Sequence, residues 1–218
     1  MNVYLVVEGR GEKRVYAHWV PLVNPSLSVV DGIDQVTNNN IFIISGEGYP
    51  HYFDVIENGV YDVANDNNFD RLVIAIDAED MAYEEKRQEI IGFIEGLQTK
   101  IEYRVIVQNF CLETWALGNK KIFPRNPTTD CVRAYQAIYN VLENDPEQLP
   151  GWPEKELNRS QFSVKYLRCL FNEKYRNLAY TKSNPSVLLH HSYYKRVKER
   201  FETTDHIASF NDFLTAFA

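Results

Sequence analysis

Short apolar runs alternate with amphipathic stretches through the first half of the chain. Residues 3–7, 41–45, 72–76 and 103–108 read as buried strands, and the segments about 12–20, 50–63 and 82–100 between them read as helices. In the last of these, Ile90, Ile91, Ile94 and Leu97 fall on one helical face. Strands alternating with helices predict an α/β fold with a parallel sheet of about four strands covered on both faces. Residues 21–40 read as a loop between the first helix and the second strand, ending in the turn signal Asn38-Asn39-Asn40.

Beyond the fourth strand the pattern turns helical, with segments at about 130–143, behind a Thr129 or Asp130 cap, then 160–172, 186–200 and 206–217. Three prolines and a glycine within 144–153 break any regular element and mark a linker. The expected organisation is an α/β domain over 1–143 and a mostly helical, basic C-terminal lobe over 154–218.

Charge sharpens this division. The net charge of the 218 residues is −7, but residues 1–150 carry 12 Lys and Arg against 23 Asp and Glu, whereas 151–200 carry 11 against 4. An acidic part joined to a basic one suits a metal site beside a surface for a polyanion, although charges also segregate across solvated faces without function. In the basic lobe, Lys165, Arg168, Lys174, Arg176, Lys182, Lys195, Arg196, Lys198 and Arg200 are interleaved with Tyr166, Tyr175, Tyr180, Tyr193 and Tyr194. Cations for phosphates and aromatic rings for bases make a candidate nucleic-acid face; at helical spacing, half of those tyrosines would serve equally well as core. His190 and His191 are adjacent on a helix and point apart, so at most one faces any site.

No run approaches the ~20 apolar residues of a membrane-spanning helix, and the opening residues lack a basic leader or a cleavage site. The expectation is a soluble, cytoplasmic protein with no membrane partner. Cys111, Cys131 and Cys169 are odd in number and widely spaced, and are expected to be reduced and structural rather than a disulfide frame or a zinc site. No Gly-x-x-x-x-Gly-Lys-Ser/Thr loop is present to bind ATP phosphates.

The candidate chemistry lies at strand ends. The first strand stops on Glu8 before Gly9-Arg10-Gly11-Glu12, and the third stops on Asp77-Ala78-Glu79-Asp80. In open parallel sheets ligands gather outside the carboxyl ends of the strands. Carboxylates crowded there repel one another unless a divalent cation lies between them, and oxygen-only ligands favour Mg2+ or Mn2+ over zinc. A carboxylate after a strand also commonly caps a helix or faces solvent. Ser45-Gly46-Glu47-Gly48, after the second strand, offers either backbone amides for a phosphate or a plain tight turn.

The strand ending in Glu-Gly with a following Gly-Glu, and the later apolar strand ending in an Asp-x-Asp-like motif, resemble the TOPRIM domain over roughly residues 1–110. The resemblance implies a Rossmann-like sheet and a magnesium site, with Glu8 at the family's glutamate, Asp77 at its first aspartate and Glu79 two positions on. There the family has aspartate, and either Glu79 or the adjacent Asp80 is the third acid. The absence of a glycine close behind the acidic motif separates the chain from the primase and maturase versions. Asn109-Phe110-Cys111-Leu112-Glu113-Thr114-Trp115-Ala116-Leu117 and Tyr180-Thr181-Lys182 are similar to elements of RloB-like and OLD-nuclease-related TOPRIM proteins of bacterial defence systems.

That similarity implies Glu113 near the metal and Lys182 near a phosphate. From the residues alone, Glu113 would equally satisfy helix amides and Lys182 would be a surface lysine. The expected activity is metal-dependent hydrolysis of DNA or RNA in antiphage defence, with Glu8, Asp77, Glu113 and Lys182 as catalytic candidates and Glu8, Asp77, Glu79 and Asp80 as metal ligands. A separate ATPase subunit and homo-oligomerisation are possible partners in that setting. The alternatives are a non-catalytic nucleic-acid-binding or sensor subunit, and a small-molecule phosphotransfer or receiver domain, against which the basic extension argues.

Overall fold

The computed structural model describes residues 1–66, 68–175 and 178–218. Arg176 of the basic series lies outside them. Among the described residues the chain forms an all-parallel five-stranded sheet in the order β2-β3-β1-β4-β5, flanked by helices. The strands are β1 (Val3–Val7), β2 (Ser28–Val30), β3 (Asn40–Ser45), β4 (Arg71–Asp77) and β5 (Tyr103–Gln108). The helices are α1 (Arg10–Val23), α2 (Tyr52–Asn65), α3 (Tyr83–Gly96), α4 (Leu112–Ala116), α5 (Asp130–Ile138), α6 (Arg159–Lys174), α7 (His191–Thr203) and α8 (Phe210–Ala216).

Contacts divide the chain into two compact units. The first comprises Met1–Ile76, Tyr83–Val107 and Asn211–Ala218; the second comprises Asp77–Ala82 and Gln108–Phe210, and so contains residues 144–153.

In the first unit β1 is central, with all five residues buried and parallel partners on both sides, Val7 standing opposite Ser45 of β3 and Ala75 of β4. A strand buried on both faces needs a continuous apolar run, which Val3-Tyr4-Leu5-Val6-Val7 supplies. The segment expected to be a loop contains β2, which among the described residues pairs with β3 alone. Helix α1 continues through Pro21 to Val23, three residues beyond the predicted end. Gly59 of α2 packs so closely that a Cβ there would lie 3.1 Å from the Tyr4 ring, and the Tyr4 hydroxyl donates to Asp62 of the same helix. The C-terminal residues return to this unit: Phe213 meets Tyr16 and Trp19 of α1 edge-on, and Arg71 donates to the Ala216 carbonyl.

The second unit is helical. Thr129 caps α5 through its hydroxyl, and Asn158 caps α6 reciprocally with Gln161. Tyr135, Trp152, Phe162 and Tyr166 pack as an aromatic cluster. Helices α5 and α6 lie side by side and bring together Cys131 and Cys169, 38 residues apart, which form a disulfide with a Cα separation of 6.3 Å. This corrects the expectation of three reduced cysteines, because the pairing follows from helix packing that spacing along the chain does not reveal. Cys111 is free and buried.

Among the described residues no helix is long and apolar enough to cross a membrane.

Candidate metal centre

The strand order makes β1 the point of reversal. The chain passes from β1 to β3 on one side and then crosses to β4 and β5 on the other. Ligands of doubly wound sheets collect outside the strand ends at such a reversal. Glu8 directly follows β1, and Asp77 is the last residue of β4, whose pairing with β1 fixes its place: with Val7 opposite Ala75, the two carboxylates leave adjacent strand ends one residue apart in register. One carboxylate oxygen each from Glu8, Asp77 and Glu79 lies within 4.8 Å of the others, a grouping able to hold a metal ion. The donors are all hard oxygens, a set that fits Mg2+ or Mn2+.

Backbone geometry orients these acids. Gly46 N donates to Val7 O and Gly48 N to Glu8 O, so the turn after β3 clamps the end of β1. A Cβ on Gly46 would stand 2.5 Å from Tyr52 Cβ, which is why glycine occupies this approach. The amides of Gly46 and Gly48 are spent on β1, so the segment acts as a tight turn and not as a phosphate cradle. Glu12 accepts the Gly9 amide at 2.8 Å and caps α1. Glu79 has φ 55° and Phe110 φ 66°, and Glu79 N donates to Phe110 O at 2.8 Å. Two non-glycine residues held in the left-handed region cost of the order of 1 kcal/mol each and are typical of sites that aim a side chain.

Within the second unit, Asp77 is buried, with Oδ1 accepting the Leu112 amide at 3.2 Å and Oδ2 lying 3.6 Å from Lys182 Nζ. The Lys182 side chain is half exposed. Glu113 is buried in α4 and accepts the Tyr180 hydroxyl. It does not belong to the three-carboxylate group, yet it stays close: burial raises the Cys111 thiol well above its usual pKa, and the charges of Glu113 and Asp77 push it further while Lys182 opposes them. Asp80 is directed elsewhere. Its carboxylate accepts the Arg159 amide at 3.2 Å and pairs with the Arg159 guanidinium, which also covers the Phe110 ring at 4.3 Å.

Several residues at these strand ends carry no sequence signal of their own. Arg159 is one. Gln108, at the end of β5, is fully buried, with neither side-chain amide atom hydrogen-bonded among the described residues, while its carbonyl accepts the Ala78 amide. In the first unit, buried Lys86 lies 2.6 Å from Glu89 and 3.3 Å from the Tyr52 hydroxyl. Burial raises the Tyr52 pKa; Lys86 lowers it, and the charges of Glu89 and Glu8 add to the rise.

The basic lobe is less open than its composition suggests. Tyr166, Tyr180, Tyr193 and Tyr194 are buried, and Tyr175 is half-buried. Arg200 is 3% exposed and donates to the carbonyls of Leu117 and Asn144. Lys165, Arg168, Lys174 and Lys195 are exposed; Arg196 and Lys198 pair along α7 with Glu199 and Glu202. His190 and His191 are exposed, and His190 caps α7.

No protein-family model, curated protein or solved structure matches this chain.

Proposed function

We propose that this chain is a divalent-metal-dependent phosphodiesterase acting on DNA or RNA, of TOPRIM type. The observation that carries the reading is the gathering of Glu8, Asp77 and Glu79 at the reversal point of the sheet. Glu8, Asp77 and Glu79 are the ligands for Mg2+ or Mn2+, which when bound polarises a phosphoryl oxygen and lowers the pKa of water. Lys182, a half-exposed cation beside Asp77, is the group to receive the phosphate oxygens of the substrate. Glu113 is a supporting residue that holds Tyr180, two positions before Lys182, and so sets where the lysine stands. Asp80 anchors Arg159 rather than the metal. The setting proposed for this activity, antiphage defence with a partner ATPase, rests on the motif resemblance of residues 109–117 and Tyr180-Thr181-Lys182 alone.

The non-catalytic nucleic-acid-binding reading has one observation in its favour: Lys182 already compensates the charge of Asp77.

The test is calorimetric titration of Mn2+ into the wild type and into Asp77→Asn, Glu79→Gln and Asp80→Asn, with and without a short oligonucleotide, followed by cleavage assays on single- and double-stranded DNA and RNA. The expected result is saturable binding that is lost in the Asp77 and Glu79 variants and kept in Asp80→Asn, with cleavage following binding. No Mn2+ binding by the wild type under either condition overturns the metal reading. Binding without cleavage of any substrate favours the non-catalytic one.

A further inference from the structure

The second unit carries two adjoining cavities remote in sequence from the strand-end acids. The larger, about 450 Å3, lies among the turn after α4, the end of α6 and the start of α7. Its apolar wall includes Phe171, Tyr175, Leu178 and Tyr193. The Phe171 and Tyr193 rings, nearly parallel and 6.1 Å apart at an interplanar angle of 20°, are buried and back this wall, and half-buried Tyr175 is its accessible ring. Leu178 is 48% exposed and adds an accessible apolar side chain to this wall. The smaller cavity, about 240 Å3, is walled by Lys120, Lys121, Arg196 and Arg200, with Glu199 as its acid. Lys121 and Arg196 line both cavities.

We propose that this double cavity binds a nucleoside 5′-monophosphate, with the base against the aromatic wall and the phosphate between Lys121 and Arg196. Among the described lining residues Lys120, Lys121 and Arg196 stand against one carboxylate, with Arg200 buried behind them and bonded to the Leu117 and Asn144 carbonyls; burial together with the nearby Arg200 lowers the Lys120 pKa, as expected where cations crowd. The Arg196–Glu199 pair, at 2.6 Å on a partly exposed helix face, is worth little in water, so a phosphate can take over the guanidinium at small cost. The larger cavity falls in the size range of small-ligand sites, which are mainly apolar with a few placed polar groups. A single nucleotide fits better than a strand. Successive bases need a row of accessible rings, whereas Tyr166, Tyr180, Tyr193 and Tyr194 of the same unit are buried and Tyr175 supplies a single half-buried ring. This site is independent of the strand-end acids.

The test is calorimetric titration of AMP, GMP, CMP and UMP into the full chain, with adenosine and inorganic phosphate as separate arms. At least one monophosphate is expected to saturate a single site, with the nucleoside and the phosphate alone each weaker by about tenfold or more. Arg196→Ala, or Lys121→Ala should that variant fail to fold, weakens the monophosphate about tenfold and leaves the nucleoside unchanged. Tyr175→Ala weakens monophosphate and nucleoside together and leaves inorganic phosphate unchanged. Asp77→Asn leaves all arms unchanged. The proposal is overturned if none of the four monophosphates saturates, if Arg196→Ala and Lys121→Ala bind like the wild type, if only a longer oligonucleotide binds, or if Asp77→Asn abolishes binding. The last result would move the nucleotide to the strand-end acids.

Discussion

Glu147→Gln isolates one buried carboxyl whose protonation is tied to the packing of the second unit. Glu147 is 7% exposed, and burial raises its pKa from 4.5 to about 7, opposed by hydrogen bonds from the Ser209 hydroxyl and amide and from Asn109, and assisted by the charge of Asp145. Ser209 Oγ also accepts Trp115 Nε1 at 2.8 Å, so the carboxyl, the serine and the buried indole form one chain of contacts. The folded state holds the proton more tightly than the unfolded chain. Stability from this group is therefore fully present below about pH 4.5 and is lost as pH rises through about 7. At 1.36 kcal/mol per unit, the shift from 4.5 to about 7 corresponds to roughly 3 kcal/mol. Glutamine keeps an acceptor for Ser209 and cannot ionise. Urea unfolding of both proteins at about pH 4.5 and pH 8 should show the wild type losing roughly 2–3 kcal/mol relative to the variant at the higher pH. A difference between the two proteins that does not change with pH refutes the assignment of a buried, protonated carboxyl at this position.

Saturating Mn2+, at about 100 times its Kd, should stabilise the wild type by about 2.7 kcal/mol, or roughly 5–10 °C in Tm for a chain of this size, and leave Glu79→Gln unshifted; scanning calorimetry with and without metal reads this out. Tyr180→Phe removes the hydroxyl that serves the buried Glu113 carboxylate and should cost about 1.5–3 kcal/mol in chemical denaturation; a cost near zero would mean Glu113 does not depend on that bond. Gly46→Ala forces a methyl against Tyr52 beside the end of β1 and should cost about 1–3 kcal/mol and weaken Mn2+ binding, both absent if the turn can move aside. Thiol titration of the denatured, unreduced protein should find one thiol, Cys111, and reduction should lower stability by about 4 kcal/mol for a loop closed over 38 residues; three thiols before reduction would refute the Cys131–Cys169 bond.

The sheet was legible wherever burial on both faces demands an unbroken apolar run, as in β1 and in Leu72-Val73-Ile74-Ala75-Ile76. It was not legible at β2, an edge strand beside β3 whose three residues are exposed or half-exposed, so neither alternation nor a long run marks it. Helix ends shifted where local packing decided them: α5 stops at Ile138, five residues before the predicted end, and the segment from 186 divides into a short 3-10 turn and α7, which His190 caps. The tyrosines of the basic lobe show the limit of periodicity. Helical spacing places Tyr166 and Tyr194 on a face, but only the neighbouring elements determine that the face is covered.

The strand-end acids show which part of a site a sequence specifies. Glu8 and Asp77 are legible because a carboxylate that ends a buried strand can only emerge at the sheet's carboxyl edge, and the order of β3, β1 and β4 then makes those two edges neighbours. Between Glu79 and Asp80 the sequence holds no preference, since either acid is long enough to reach an ion. The choice is made by contacts from elsewhere in the second unit. Phe110, itself left-handed, accepts the Glu79 amide and fixes that residue at φ 55°, while Arg159 at the start of α6 takes the Asp80 carboxylate and carbonyl. One acid is held by its backbone with its carboxylate left to the group at the strand ends, and the other is consumed as an anchor for a helix. Glu79→Gln and Asp80→Asn should therefore separate cleanly, the first losing metal and the second weakening the start of α6 while metal binding persists.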